Sequence, residues 1–222
     1  MKSIIDIRDL RVTNPSDKST MLMIDHLQIK QGSFNVILGE NGCGKSTLLH
    51  TIAGRAPHEG SVSIGGKNLN LRSFGHKPPE VRLLEQDPSH GLFPELTLAE
   101  NLMLSGYRNR GKDNLLNPDS CRACSIFTPK MLSLKDRPAK LLSGGEKQTL
   151  ALAMCLIRPP KLLLLDEYTS AMDQKRSIFT TQYLSQLCRQ MGLTILAVTH
   201  EPTLVKAHVD RWISIEEGNI DG

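Results

Sequence analysis

Apolar and polar residues alternate along "SIIDIRDLRV" and again along "MLMIDHLQI", the period of strands with one buried face. Between them, "TNPSDKST" is turn chemistry. A short apolar strand, "SFNVIL", runs straight into "GENGCGKSTLLHTIAG". A Gly-rich hairpin region, "SVSIGGKNL", follows, then a loop with Pro78-Pro79 and a strand, "VRLLEQ". From Asp87 to about Leu142 the texture changes. "LTLAENLML" has helical spacing, whereas "SGYRNRGKDNLLNPDSCR" is polar and turn-rich, so an inserted helical lobe with a mobile loop is expected here. From Lys161 strands and helices alternate: strand "KLLLLDE", helix 174–190, strand "LTILAVT", helix 201–207, strand "RWISIE". That alternation predicts an α/β fold whose parallel sheet is covered on both faces. No internal repeat or low-complexity tract interrupts it.

Size and charge narrow the picture. The 222 residues suffice for one large domain or a core with a lobe. Apolar residues make up 39% and charged residues 23%, as in ordinary globular proteins. The net charge of +4 is scattered; it permits an anionic ligand or a membrane surface and gives no argument for nucleic acid. The longest aliphatic run, Leu162–Leu165, is far shorter than the ~20 residues that span a bilayer. "MKSIIDIRDL" carries acids within its apolar stretch and no cleavage pattern, so a signal peptide is not expected. Five cysteines, odd in number and sparse, suit a reducing, cytoplasmic setting. Cys121-Arg-Ala-Cys124 has half of a zinc-ligand spacing without a second pair, so two thiols in a loop are expected.

The chemistry begins at Gly39. Gly39-Glu40-Asn41-Gly42-Cys43-Gly44-Lys45-Ser46 matches the phosphate-loop pattern G-x-x-x-x-G-K-[ST] in full, between a strand and a helix. Glycines let successive backbone N–H groups turn inward around phosphate oxygens, and the helix points its positive end there. Lys45 should reach the β- and γ-phosphates, Ser46 should bind Mg²⁺, and Thr47 could add a hydrogen bond. Asp166 ends the buried strand "LLLLD", where open α/β sheets bind ligands, and a carboxylate there can hold Mg²⁺. Glu167 comes next and could polarise an attacking water.

Ser143-Gly144-Gly145-Glu146 needs a separate explanation. Serine with glutamate three residues on is a capping box, and Leu150, Met154 and Ile157 continue an apolar helix face. The box accounts for Ser143 and Glu146. It leaves Gly144 and Gly145, each of which weakens a helix by roughly 1 kcal/mol relative to alanine. Bare glycines at a helix start suit a bulky group approaching the N–H donors, so a second anion site is expected. Spacing alone leaves open what that site binds.

The order of phosphate loop, "LSGGE" and "LLLLDE" resembles the nucleotide-binding subunits of ATP-binding cassette (ABC) proteins over nearly the whole chain. The resemblance implies a P-loop NTPase core with an N-terminal antiparallel β subdomain and an inserted helical subdomain. One domain, 1–222, would hold the core at 1–86 and 143–222 and the helical part at 87–142. Gln86 is similar to the family's Q-loop glutamine, which contacts Mg²⁺ and water. Leu142–Glu146 is similar to the signature, Ser170–Asp173 to the D-loop, and His200 to the switch histidine. The resemblance further implies MgATP, with Ser46, Gln86 and Asp166 at the metal and Glu167, His200 and Gln86 in hydrolysis. Two chains would pack head to tail, each nucleotide lying between one phosphate loop and the other chain's Ser143, Gly144 and Gly145. Integral membrane permease subunits, reached through 86–107 with Leu92, Phe93 and Pro94, and a solute-binding protein would be partners. The expected location is peripheral, on the cytoplasmic face of the cell membrane.

Three departures qualify this. The family places an aromatic residue upstream of the phosphate loop, stacked on adenine, and "RDLRVTNPSDKST" contains none, so base stacking should be weak or come from elsewhere. Glu146 stands where glutamine is common, and Tyr168 where proline is frequent. Tyr168 with "LKDRPAKLLSGGEKQTLALAM" is similar to a bacterial subgroup linked to uptake of aromatic amino acids or similar small solutes. Two rival classes remain: a soluble ABC ATPase of DNA repair or translation, and a non-catalytic module. The first would show a long coiled coil or two cassettes, and Glu167 and His200 argue against the second.

Overall fold

The alternating N-terminal segments pair with each other. β1 (Ser3–Thr13) and β2 (Thr20–Lys30) run antiparallel, and β1 also pairs with β4 (Glu59–Ile64), which turns back into the short β5 (Lys67–Asn68). The resulting four-stranded order is β2-β1-β4-β5. The structure, a computed structural model, describes residues 2–14, 16–69, 80–106 and 122–221. The Pro78-Pro79 loop and residues 107–121 expected as a mobile loop lie outside the described residues.

The second sheet holds six strands in the order β10-β9-β3-β8-β7-β6. These are β3 (Phe34–Leu38), β6 (Val81–Leu84), β7 (Leu162–Asp166), β8 (Thr194–Val198), β9 (Arg211–Glu216) and β10 (Asn219–Asp221). All pairs are parallel except β9 with β10. That final hairpin, turning at Gly218 (φ +81°), is an addition to the expected parallel sheet.

Continuous apolar runs make sense because each strand serves two cores. Val36, Leu163, Leu165, Ile195 and Ala197 face one cluster with Leu150, Leu152 and Leu184. Their neighbours Ile37, Leu162, Leu164, Leu196 and Val198 face the other, with Leu48, Leu49, Ile7 and Leu22. Successive side chains of a strand point to opposite faces, so a sheet covered on both sides needs apolar residues at every position. Helix α1 (Lys45–Ile52) lies on the β-subdomain side. On the other side lie α2 (Leu98–Gly106), α3 (Pro129–Ser133), α4 (Gly144–Leu156) and α5 (Gln174–Met191).

Two local expectations change. The helix expected over 201–207 is the four-residue α6 (Pro202–Val205) followed by a 3₁₀ turn, Lys206–His208. Glu201 makes no side-chain cap there, and so short a run gains little from helix propagation. Cys124 is not a loop thiol; it sits in a 3₁₀ turn, Arg122–Ile126, fully buried in the core beneath the helical lobe. Leu164→Ala removes a fully buried side chain and should lower unfolding free energy by about 2–5 kcal/mol in urea titrations. Met103→Ala, at a residue 57% exposed, should stay within about 0.5 kcal/mol.

Candidate functional site

β3 delivers the chain to Gly39, and the loop from Gly39 to Gly44 turns it into α1. Gly44 is the N-cap with φ +104°, and a Cβ there would stand 2.9 Å from the Met21 carbonyl oxygen. Only glycine tolerates both. No side chain caps α1 and no acid sits in its first turn, so its N–H donors stay open to an anion. Lys45 is 93% buried; its ammonium donates to the carbonyls of Gly39 at 2.8 Å and Glu40 at 2.6 Å, which holds it over the loop. Ser46 is exposed beside it.

Asp166 ends β7 close to the Ser46 hydroxyl. Burial raises its pKa, a neighbouring Glu167 adds to the rise, and Ser46, His50 and Lys45 oppose it. One carboxylate oxygen, Oδ1, is buried and has no hydrogen-bond partner among the described residues. A buried, unpaired anionic oxygen beside a serine hydroxyl fits a hard divalent cation such as Mg²⁺.

Glu167 leaves the strand with φ +47°, the left-handed region that costs a non-glycine residue roughly 1–2 kcal/mol. The turn aims its carboxylate between two side chains from other strands' ends. Gln86, beyond β6, donates from Nε2 to Oε2 at 3.0 Å, and His200, beyond β8, brings Nε2 to 2.6 Å from Oε1. Three residues far apart in sequence thus meet on one carboxylate. Gln86 is itself flanked by an ionic cluster: Glu85 pairs with Arg55, and His90 lies 3.0 Å from Glu85 and 3.9 Å from Asp87. The Glu85 hydrogen bond, then the two negative charges, raises the His90 pKa.

Ser143, Gly144 and Gly145 do not join this cluster. They open onto a separate groove of about 730 Å³ lined also by Thr128, Met131, Ala171 and Phe179, and no residue of the phosphate loop lines it. The capping box is complete: Ser143 N–H donates to Glu146 Oε2 at 2.8 Å, and Glu146 N–H donates to Ser143 Oγ at 3.4 Å. The expectation that both glycines exist for an approaching ligand needs amending. A Cβ on Gly145 would stand 2.7 Å from the Ala171 carbonyl oxygen, so the chain's own turn requires that glycine. Gly144 is exposed, and its Cβ would meet only the Ala171 methyl, at 3.3 Å.

Three structurally placed residues were not singled out from sequence. Buried Gln148 donates to Glu167 O at 3.0 Å and accepts from Ala171 N–H at 3.1 Å. Its only pointer was its place four residues before Leu152, on the buried face. Buried Asn101 accepts from Phe93 N–H and donates to the carbonyls of Phe93, Leu96 and Thr97, tying the loop that leaves Phe93 53% exposed. Met21 is 40% exposed where its backbone passes the phosphate loop, and carries no aromatic ring. Tyr168, the departure noted above, is fully buried with its hydroxyl 2.8 Å from Thr181 Oγ1, a packing role.

A profile of the ABC transporter family matches residues 22–170. The chain belongs to the ABC transporter family. The thiamine import ATP-binding protein ThiQ of Haemophilus influenzae (strain 86-028NP) is 38% identical, over 90% of this chain and 91% of that protein. A tyrosine transport ATP-binding protein of Clostridioides difficile (strain R20291) is 31% identical, over 98% of this chain and 90% of its own. Among solved structures, a dimeric post-hydrolysis state of the cassette MJ0796 bound to ADP and Pi is similar at 26% identity, with a TM-score of 0.81, covering 98% of this chain and 97% of that one. This ABC chain is therefore the ATP-binding, ATP-hydrolysing subunit of a membrane transporter. Among the described residues no helix is long and apolar enough to cross a membrane.

The raised Asp166 pKa makes a prediction about stability. A raised carboxylate pKa means that the folded chain holds its proton more tightly than the unfolded one, whose value is about 3.9. Stability is then lost as pH rises from the unfolded value through the folded one, and the ionised group remains destabilising at pH 7. Asp166→Asn should raise Tm at pH 7 in EDTA and weaken that acid-side slope. A Tm that falls would contradict burial as the cause.

Proposed function

We propose that this subunit hydrolyses MgATP in a head-to-tail homodimer that powers uptake of a small solute through permease subunits at the cytoplasmic face of a membrane. One observation carries the dimer: a single chain keeps apart its two glycine-bearing helix N-termini, the uncapped one of α1 and the exposed Ser143-Gly144 start of α4. Lys45, Ser46, Asp166 and Glu167 surround one, and Ser143 and Gly144 open into a groove that the phosphate loop does not line. A triphosphate on one chain can complete its coordination only with the second site of another chain.

Gly39–Thr47 and Lys45 would hold the phosphates. Ser46, Asp166 and Gln86 would hold Mg²⁺, which supplies charge neutralisation on the phosphate oxygens. Glu167, gripped by Gln86 and His200, is the group to orient and deprotonate the attacking water, and the His200 imidazole can donate to the γ-phosphate once turned from the carboxylate. Positioning and preorganised charge do most of the catalysis in phosphoryl transfer. Exposed Phe93, Met103 and Leu104 on the helical lobe suit an apolar contact with permease subunits, and a solute-binding protein outside would choose the cargo. Import and the small-solute class rest on the thiamine import and tyrosine transport relatives above.

Glu167→Gln should bind ATP with near-parental affinity, lose at least about 100-fold in turnover, and elute as a dimer with MgATP in size-exclusion chromatography. Near-parental turnover refutes the role of Glu167. Lys45→Ala should lose nucleotide affinity by about 10-fold or more in fluorescent-nucleotide titrations, since it removes a charge-assisted phosphate contact.

A further inference from the structure

The helix that carries the second anion site is bolted to the turn that carries Glu167, within the same chain. Three contacts do this. Gly145 packs so closely on the Ala171 carbonyl that no side chain fits between them. Gln148, three residues further along α4, donates to Glu167 O at 3.0 Å and accepts from Ala171 N–H at 3.1 Å. The Gln148 amide is fully buried although its partners Glu167 and Ala171 lie nearer the surface, and a buried amide left without its partners is costly.

The turn being held is a strained one. Glu167 occupies the left-handed region, which a non-glycine residue keeps only when its surroundings impose it. Its N–H donates to Val198 O at 3.1 Å, and its carbonyl accepts from Ser170 N–H at 3.1 Å as well as from Gln148. The Val198 and Ser170 bonds belong to the strand end and the turn. The Val198 bond ties the turn to the neighbouring strand β8, and among these three bonds Gln148 is the one that ties it to a helix, α4.

We propose that Gln148 is a positioning residue that sets the orientation of Glu167 according to the position of α4, and so links the anion site this chain lends to its partner with the hydrolytic site it keeps for itself. When an anion is drawn onto Ser143 and Gly144, α4 moves as a rigid rod; the amide carries that movement into residues 167–171, and the carboxylate between Gln86 and His200 shifts with them. A chain thereby registers at its own site whether its partner holds nucleotide. The proposal rests on the head-to-tail dimer above.

Gln148→Met fills the same space without the two hydrogen bonds, and Gln148→Glu keeps the acceptor for Ala171 N–H and loses the donor to Glu167 O. For Gln148→Met, kcat should fall by about 10- to 100-fold, the scale of a sub-ångström to ångström misplacement, with KM for ATP within about 3-fold of the parent. Gln148→Glu should fall between, and it serves if the methionine variant does not fold. Unchanged kcat, or a rise in KM with kcat retained, overturns the proposal whatever the assembly.

Mixed dimers separate this role from simple support of α4. Two differently tagged copies are co-purified in MgATP, with Glu167→Gln silencing one hydrolytic site. With Gln148→Met on the chain whose Glu167 is intact, turnover should drop as in the uniform variant. With Gln148→Met on the silenced chain, whose α4 faces the working site, turnover should match the parent paired with Glu167→Gln. The opposite pattern, or equal loss in both pairings, overturns the proposal. Failure of the dimer reading shows itself elsewhere, as the absence of any nucleotide-stabilised dimer of Glu167→Gln, and the kcat and KM values of the uniform variants then still decide the role of Gln148.

Discussion

Where β7 runs out, a strand of wholly buried leucines gives way to two carboxylates, and the rest of the site depends on how that break is made. Asp166 is still within the strand and buried, with an unpaired oxygen beside Ser46. Glu167, one residue on, has left it through a left-handed bend and stands between Gln86 and His200. Adjacent acids on a continuing strand would point to opposite faces. The bend lets them face different surroundings, Asp166 beside Ser46 and Glu167 between Gln86 and His200, as the proposed cation and water roles require.

Holding that bend takes contributions from much of the molecule. β8 accepts from the Glu167 N–H, the D-loop turn donates back to its carbonyl, and Gln148 reaches across from α4. Since α4 also presents Ser143 and Gly144 to the outside, the strained turn at Glu167 and the exposed start of α4 are features of one assembly. The two-faced sheet makes this possible. Its strands bury one set of residues against α1 and the β subdomain and the alternate set against α4 and α5, so both helix N-termini are anchored to a single rigid layer.

Much of this was legible beforehand, for identifiable reasons. The phosphate loop is contiguous, and its strand–helix context repeats the same message, so Gly39–Thr47 and the elements around them could be read directly. Asp166 and Glu167 followed from their place at the end of a leucine run. The helix expected over 201–207 is longer than the one that forms, because apolar spacing over so few residues carries little information about where a helix stops. At Gly145 the sequence points to a ligand-facing glycine, whereas the Ala171 carbonyl, distant in sequence, is what excludes a side chain there.

Local chemistry written along the chain thus specified the class of fold, the phosphate cradle and the identity of the acids, because glycine torsions, strand periodicity and helix capping act over a few neighbouring residues. Folding had to supply the partnerships: Gln86 and His200 on one carboxylate, Gln148 bridging α4 to a strained turn, Asn101 tying the loop that exposes Phe93. Hydrogen bonds between side chains from separate strands and helices depend on how those elements pack, and a buried amide looks no different in a sequence from one that faces water.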